Sequence, residues 1–369
     1  MQITVQQEDL AAALQMVQRS TASRTTLPVL TGILFEARAG ALTLSATDLE
    51  TALRTTIPAT VREEGAVVLP ARYVVELVRR APFGEIEVAT EGERAQATLR
   101  FGRSQYRIHG FPHEQFPLIA ADFDGAALEV PQDRFRDAVQ RTGFAVSTSD
   151  MRPILTGVQL RLAPTGFHAV ATDGIRVAHY RGEGVAVEDD GVEVVVPGRT
   201  LQELARLLGE GEEILRLGMR DNRLLAEANG ILFQTTVLSG QYPAVLDMMP
   251  KSYIAEMDVD RRAFVDACER AALIAGAPDQ PNAVRMVVAP GGVTLAAQAV
   301  DIGAAEDFVE ADVRGEGLEI AFNARYLLDG LRHVGGESVR CAFSGPIGAA
   351  RFSGEGDEFE YFLLPMRIS

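Results

Sequence analysis

Residues 27–35 read Leu-Pro-Val-Leu-Thr-Gly-Ile-Leu-Phe, and the segment closes on Thr47-Asp48. Residues 152–160 read Arg-Pro-Ile-Leu-Thr-Gly-Val-Gln-Leu and close on Thr172-Asp173. Pro28 precedes Asp48 by twenty residues, and Pro153 precedes Asp173 by the same twenty. A weaker third copy sets Pro281 twenty residues before Asp301. A period near 125 residues is far too long for a solenoid unit, so each copy is a domain with a core of its own. The expected domains are 1–122, 128–250 and 254–369, with linkers near 118–127 and 244–256.

Within each copy the apolar residues alternate. Ile33/Phe35, Val158/Leu160 and Met286/Val288 open the pattern. Leu42, Leu44 and Ala46, then Phe167, Ala169 and Ala171, then Leu295, Ala297 and Ala299 complete it. A period of two means half-buried strands, and Ala39-Gly40, Thr165-Gly166 and Gly291-Gly292 supply the hairpin turns. Before each strand pair, apolar residues fall four apart: Leu10 and Leu14, Phe135 and Val139, Phe264 and Cys268. That spacing is the inner face of a helix. A second helix follows Val67–Pro70, Val194–Pro197 and Ile320–Asn323, and more strands follow near 86–101, 213–237 and 338–363. Each repeat therefore reads as α+β, two helices packed on antiparallel sheet.

Composition excludes several classes. No apolar run reaches the length of a membrane-spanning helix, and Met1–Val5 reads as a strand rather than a secretion signal. Two cysteines, Cys268 and Cys341, are too few for a disulfide framework, which implies a cytoplasmic setting. A net charge of −16 argues against indiscriminate nucleic-acid binding but allows one basic surface on an acidic body. Lys251 is the only lysine, so a phosphate-loop lysine is excluded, while arginine remains available for phosphate contact.

The second helices carry a matched arginine pattern. Arg72, Arg199 and Arg325 stand two residues after Pro70, Pro197 and Asn323. Glu76, Glu203 and Asp329 follow at the sixth position, and Arg79, Arg206 and Arg332 at the ninth. Offsets of four and seven place the three groups on one helix face. One reading is a solvated salt-bridge stripe. The other is a repeated phosphate-facing surface in which the acid holds the arginines extended.

No catalytic constellation emerges. Asp48 and Asp173 occupy equivalent places in different domains, too far apart to share one bond, and aspartate at a strand end commonly closes a turn. His109, His113, His168, His179 and His333 lack metal-ligand spacing on a helix, and no nucleophile elbow or phosphate loop is present. Neither metal nor organic cofactor is expected.

Three α+β repeats carrying the Pro-to-Thr-Asp unit resemble the bacterial sliding clamp, the DNA polymerase III beta subunit family. The matching segments include Arg24 with Thr-Leu-Pro-Val-Leu at 26–30, Asp150-Met151-Arg152, Thr172-Asp173-Gly174, Gln241-Tyr242-Pro243, Phe322-Asn323 and Leu364-Pro365-Met366-Arg367. The resemblance spans the whole chain. It implies a head-to-tail homodimer of six similar domains in a pseudo-six-fold ring around double-stranded DNA, with helices inside and sheets outside. It implies no catalysis; polymerase subunits, the clamp loader and repair proteins are held through short apolar peptides. The implied peptide cleft comprises Leu155, Thr172, Gly174, Ile175, Arg176, Val177, Pro243, Met248, Leu364, Pro365, Met366 and Arg367. Asp247 stands where the family pattern is basic. The resemblance places DNA contacts on Arg24, Arg152, Arg199 and Tyr326, beside the stripe residues Arg72, Arg79, Arg206, Arg325 and Arg332. It places the subunit interface at Arg103, Tyr106 and Arg107 against Leu273, Ile274, Glu306 and Asp307.

Two rival readings remain at this point. One is a monomeric three-domain protein-binding scaffold that never meets DNA. The other is an enzyme in which Asp173, Arg176 and His179 converge in a cleft.

Overall fold

A computed structural model of the chain describes residues 1–90, 95–120, 128–163, 166–182, 192–209, 211, 213–276 and 282–367. Pro281, Thr165, residues 121–127 of the first expected linker and the final Ile368-Ser369 lie outside the described residues. Six helices are present among them: α1 (Gln7–Val17), α2 (Ala71–Arg79), α3 (Gln132–Thr142), α4 (Gly198–Leu207), α5 (Arg261–Ala275) and α6 (Ala324–Leu331). They fall two to a repeat, as the sequence pattern requires. The pairs spaced four apart on α1, α3 and α5 are all buried. Helix starts are fixed locally: the Asp260 carboxylate accepts from the Ala263 amide at 2.7 Å, and Asn323 accepts from the amides of Arg325 and Tyr326. Cys268 and Cys341 are buried free thiols, and burial raises the pKa of each.

All strands are antiparallel, and the sheets do not stop at the repeat boundaries. One eight-stranded sheet runs Leu128–Pro131, Ile214–Arg220, Arg223–Ala228, Ile231–Thr236, Thr51–Pro58, Ala41–Thr47, Gly32–Arg38, Gly65–Pro70. Its middle joint pairs the last hairpin strand of repeat two with the strand after the Thr47-Asp48 turn of repeat one. A twelve-stranded sheet repeats the device. Arg176–Gly182, after the Thr172-Asp173 turn, pairs with Phe359–Leu363 of repeat three. The two joints share a register. Thr51 faces Thr235 and Thr55 faces Ile231 in the first; Arg176 faces Leu363 and Tyr180 faces Phe359 in the second. Repeat two is thus divided between two compact units, Met1–Asp133 with Arg206–Val237, and Arg134–Ala205 with Leu238–Ser369.

The Thr-Asp pair builds the turn that launches each joint strand. Thr47 Oγ1 accepts from the Leu49 amide and donates to the Thr51 carbonyl, while Asp48 Oδ1 accepts from the amides of Glu50 and Thr51. Thr172 and Asp173 make the matching bonds to Gly174, Ile175 and Arg176. These aspartates are turn formers whose acceptors saturate local amides. The turn demands a left-handed residue: Gly174 has φ 93°, and Leu49 is forced to φ 79°. A side chain there costs about 1–2 kcal/mol, partly offset by the chain entropy that glycine loses on folding. Leu49→Gly is expected to raise the unfolding free energy by up to about 1 kcal/mol in urea titrations. A loss of stability would mean that the Leu49 side chain contributes more than its backbone costs.

Candidate functional site

The apolar faces beside the second joint leave an open cleft. Its floor is a buried cluster of Leu155, Val170, Val177, Val195, Tyr242 and Phe362. The Tyr242 hydroxyl lies 3.4 Å from the Val170 carbonyl and 3.5 Å from that of Gly157, within range to donate to either, and burial raises its pKa. Above this floor opens a cavity of about 500 Å³ lined by Leu155, Thr172, Gly174, Ile175, Val177, Pro243, Met248 and Leu364. Those eight are expected cleft residues. The wall also includes Val245, Met249, Pro250, Ser344, Gly348, Ala349, Phe362 and Leu363, which the sequence reading left out. Phe362 and Leu363 could have been taken from the C-terminal apolar run; Ser344–Ala349 carries no signal along the chain. Leu364 is positioned by its amide donating to the Ile175 carbonyl at 3.0 Å. Met248 is 76% exposed, a flexible thioether side chain at the rim of an apolar groove.

Other expected members go elsewhere. Met366 and Arg367 line a neighbouring depression with Ala283, Ala321 and Glu306, and the Met366 amide donates to the Ala321 carbonyl. Pro365 lies between the two and lines neither. Asp247 lines a third depression, beside His168. Arg152, expected at DNA, stands on the cleft wall.

Arg176 departs most. Its side chain is buried, with Nε donating to Asp173 Oδ2 at 2.9 Å, Nη1 to Asp329 Oδ2 at 2.8 Å and Nη2 to the Phe144 carbonyl at 3.1 Å. The guanidinium also lies 4.3 Å from the Tyr326 ring centroid and 5.5 Å from that of Phe144. Burial opposes its charge, but the bond it donates to Asp329 and the nearby Tyr361 oxygen and Asp173 carboxylate hold its pKa above the ordinary value. Arg176 ties the cleft turn to α6 and so sets the cleft from behind. His179 is on the same strand but faces His168 and Glu360, so Asp173, Arg176 and His179 do not form a catalytic group.

The expected helix stripe is realised only in part. On α2, Arg79 donates to Glu76 through both Nε and Nη2, and Arg80 joins the same carboxylate. On α6, Asp329 is engaged by Arg176, and Arg332, which follows its last residue, donates to Glu269 of α5 at 2.8 Å. The acid thus holds an arginine in repeat one, whereas in repeat three it serves the cleft. Arg24, Arg72, Arg199, Arg206, Arg325 and Arg332 are exposed, and Tyr326 is half-buried against Arg176.

Of the sheet edges that carry no strand among the described residues, two bear on the expected interface. One is Ser104–His109, with Arg103 beside it and Tyr106 and Arg107 exposed; the other is the outer side of Gly303–Glu310. Phe308 is 60% exposed and Leu273 is 77% exposed near that second edge, whereas Ile274 is half-buried. Glu306 is exposed, but Asp307 accepts from Arg270 at 2.5 Å within its own chain.

Sheets that join repeat to repeat and an apolar cleft beside the second joint define a modular α+β protein built from three repeats. Family models of the DNA polymerase III beta subunit match its N-terminal domain at residues 1–120, its central domain at 129–244 and its C-terminal domain at 247–367. The chain belongs to the DNA polymerase III beta subunit family. It is 29% identical to the beta sliding clamp of Bacillus subtilis over 378 residues, the whole of both chains. It is equally 29% identical to the beta sliding clamp of Staphylococcus aureus, over all of this chain and 99% of that one. The crystal structure of the Bacillus subtilis clamp superposes with a TM-score of 0.95 at 27% identity, and that of the Pseudomonas aeruginosa beta subunit with 0.93 at 28%, each over the full length of both chains.

Two outcomes follow from the site's buried polar groups. Arg176→Ala strands Asp173 and Asp329 beside a void, which should cost about 3 kcal/mol in denaturant unfolding. A loss below about 1 kcal/mol would show that water replaces the guanidinium. The second concerns His168, whose pKa is held below 6.5 by burial, then by the charges of His179, Arg161 and Arg181. The unfolded chain therefore takes up this proton more readily than the folded one. Its contribution is complete above about pH 6.5 and is lost as pH falls below that toward the lower folded value. The denaturant midpoint should drop between about pH 7 and pH 5, and less so in His168→Gln. Equal slopes in both proteins would assign the acid sensitivity elsewhere.

Proposed function

We propose that this sliding clamp works as a closed head-to-tail dimer, three domains per chain bounded near 1–122, 128–250 and 254–369. The edge Ser104–His109 of one copy would pair with Gly303–Glu310 of the other. The observation that carries this is the repeated joint. The strand after the Thr-Asp turn pairs with the last hairpin strand of the next repeat twice, in one register, and the strand after Val300-Asp301 has no such partner among the described residues. Carrying that register over sets Ser104 opposite Phe308, Tyr106 opposite Glu306 and Ile108 opposite Ala304. Leu273 and Ile274 would cover the Tyr106 ring, and Arg103 and Arg107 would meet Glu306. Asp307, already held by Arg270, contributes less. A heterologous contact that closes on itself gives a ring of six similar domains.

Inside such a ring the helix arginines need only touch phosphate weakly and without sequence preference. Arg24, Arg72, Arg199, Arg206 and Arg325 fit that task, with Arg152 and Tyr326 nearer the cleft side and Arg79 and Arg332 tempered by their carboxylate partners. The protein catalyses nothing; it keeps polymerases on the template because a closed ring cannot leave duplex DNA sideways. Polymerase subunits, the loader and repair proteins would dock short apolar peptides in the cleft floored by Leu155, Val177 and Phe362.

Sedimentation at micromolar concentration should give about twice 39.8 kDa, and Tyr106→Asp, which puts a carboxylate opposite Glu306, should give the 39.8 kDa monomer. A monomeric parent protein would overturn the dimer. Leu155→Ala should leave the dimer mass intact and weaken a short leucine/phenylalanine peptide by about 2 kcal/mol, roughly thirtyfold in Kd. Unchanged affinity would place peptide docking elsewhere.

A further inference from the structure

Away from the cleft turn, the antiparallel strands Gly166–Thr172 and Arg176–Gly182 bring two imidazoles together. His168 faces Arg181 and Val170 faces His179 in the register, so the two histidines are diagonal neighbours on one face of the sheet. His168 Nδ1 lies 3.1 Å from His179 Nε2, and the rings are within 8° of parallel. The far nitrogen of His179, Nδ1, is 3.6 Å from a Glu360 carboxylate oxygen. Glu360 sits directly across the joint from His179 and is steadied by Arg351. A carboxylate at Nδ1 favours the proton there and leaves the Nε2 lone pair turned toward His168. The only hydrogen between the two near nitrogens is then one that His168 Nδ1 donates.

The geometry points to a divalent transition-metal site at His168 and His179, in which the ion takes the place of that hydrogen and His168 carries its proton on Nε2 instead. Two nitrogens 3.1 Å apart subtend about 95–102° at an ion bonded at about 2.0–2.1 Å, between square-planar and tetrahedral angles. Imidazole donors select zinc, copper or nickel over magnesium or calcium. His179 is buried, and the Glu360 carboxylate lies 3.6 Å from its far nitrogen, the side on which metal-bound histidines commonly have a supporting carboxylate. His168 is half-buried and lines an open depression of about 240 Å³ with Gln159, Glu193 and Asp247. No set of three histidine, cysteine or carboxylate groups is placed around one ion among the described residues, so water completes the coordination from this depression. The charges of Arg161 and Arg181 oppose a cation and those of Glu360, Glu193 and Asp247 favour it, which makes the site a weak, exchangeable one. It lies outside the peptide cleft but shares Pro243 and Val245 with it.

The test is a calorimetric titration of the chelator-stripped full chain with Zn²⁺ alone, beside His168→Gln and His179→Gln. One Zn²⁺ per chain is expected, weakened by about tenfold or more in either variant. Cu²⁺ should give a paramagnetic resonance signal with coupling to two nitrogens in the parent protein and fewer in His168→Gln. Because His179 is buried, its variant can fail for reasons of folding. The half-buried His168 variant, checked by its circular dichroism and melting curve, decides the matter alone. Absence of saturable binding up to about 1 mM, or binding in folded His168→Gln within about threefold of the parent, overturns the site.

Discussion

The backbone ladder that joins one repeat to the next is the constraint on which the rest of this structure depends. A strand leaving a Thr-Asp turn offers a row of amides and carbonyls, and leaving that row unpaired invites association. In this chain the last hairpin strand of the following repeat satisfies it twice, with the same register each time. Among the described residues, Ser104–His109 and the outer side of Gly303–Glu310 carry no strand from their own unit. The proposed dimer is the continuation of an internal rule, so its interface should be a sheet joint and not a mere apolar patch.

The second joint also explains where the cleft is and why it is a fixed feature. Val177 and Phe362 face each other across it, and both belong to the cleft floor. Beside them Arg176 pulls the turn onto α6 through Asp173 and Asp329, with its charge sandwiched between two rings. The first repeat has a matching buried cluster, in which Phe111, Phe116 and Ile119 pack against Val29, Leu30 and Val68. In the second repeat Pro243, Val245 and Met248 stand on the wall of an open groove above the cleft floor.

Much of this was legible along the chain. Alternation gave the hairpins, spacing of four gave the inner faces of α1, α3 and α5, and the Pro-to-Asp distance gave the repeat. The joint strands Thr51–Pro58, Arg176–Gly182 and Gly303–Gly315 were not read, although they organise the sheets. Asp-Gly-Ile-Arg at 173–176 signals a turn, and a turn signal says nothing about which distant strand the next segment will meet. For the same reason the cavity wall at Ser344–Ala349 has no signal along the chain, and the cleft residues near the turn and the C-terminal run were named only through the family resemblance. Arg176 was expected in the groove because the family resemblance implied it; the three acceptors and two rings that draw its side chain inward are 3 to 153 residues away. The His168–His179 contact had no helical spacing to betray it, since a diagonal pair across two strands depends on register alone.

The central claim is that DNA is held by closure of a ring and not by adhesion. The most direct measurement is the retention of loaded protein on nicked circular duplex before and after one cut linearises the same DNA. Release that speeds up sharply on linearisation, at a salt concentration high enough to suppress phosphate contacts, is the predicted result. Equal release from circle and line would contradict the account and return the helix arginines to ordinary surface ion pairs.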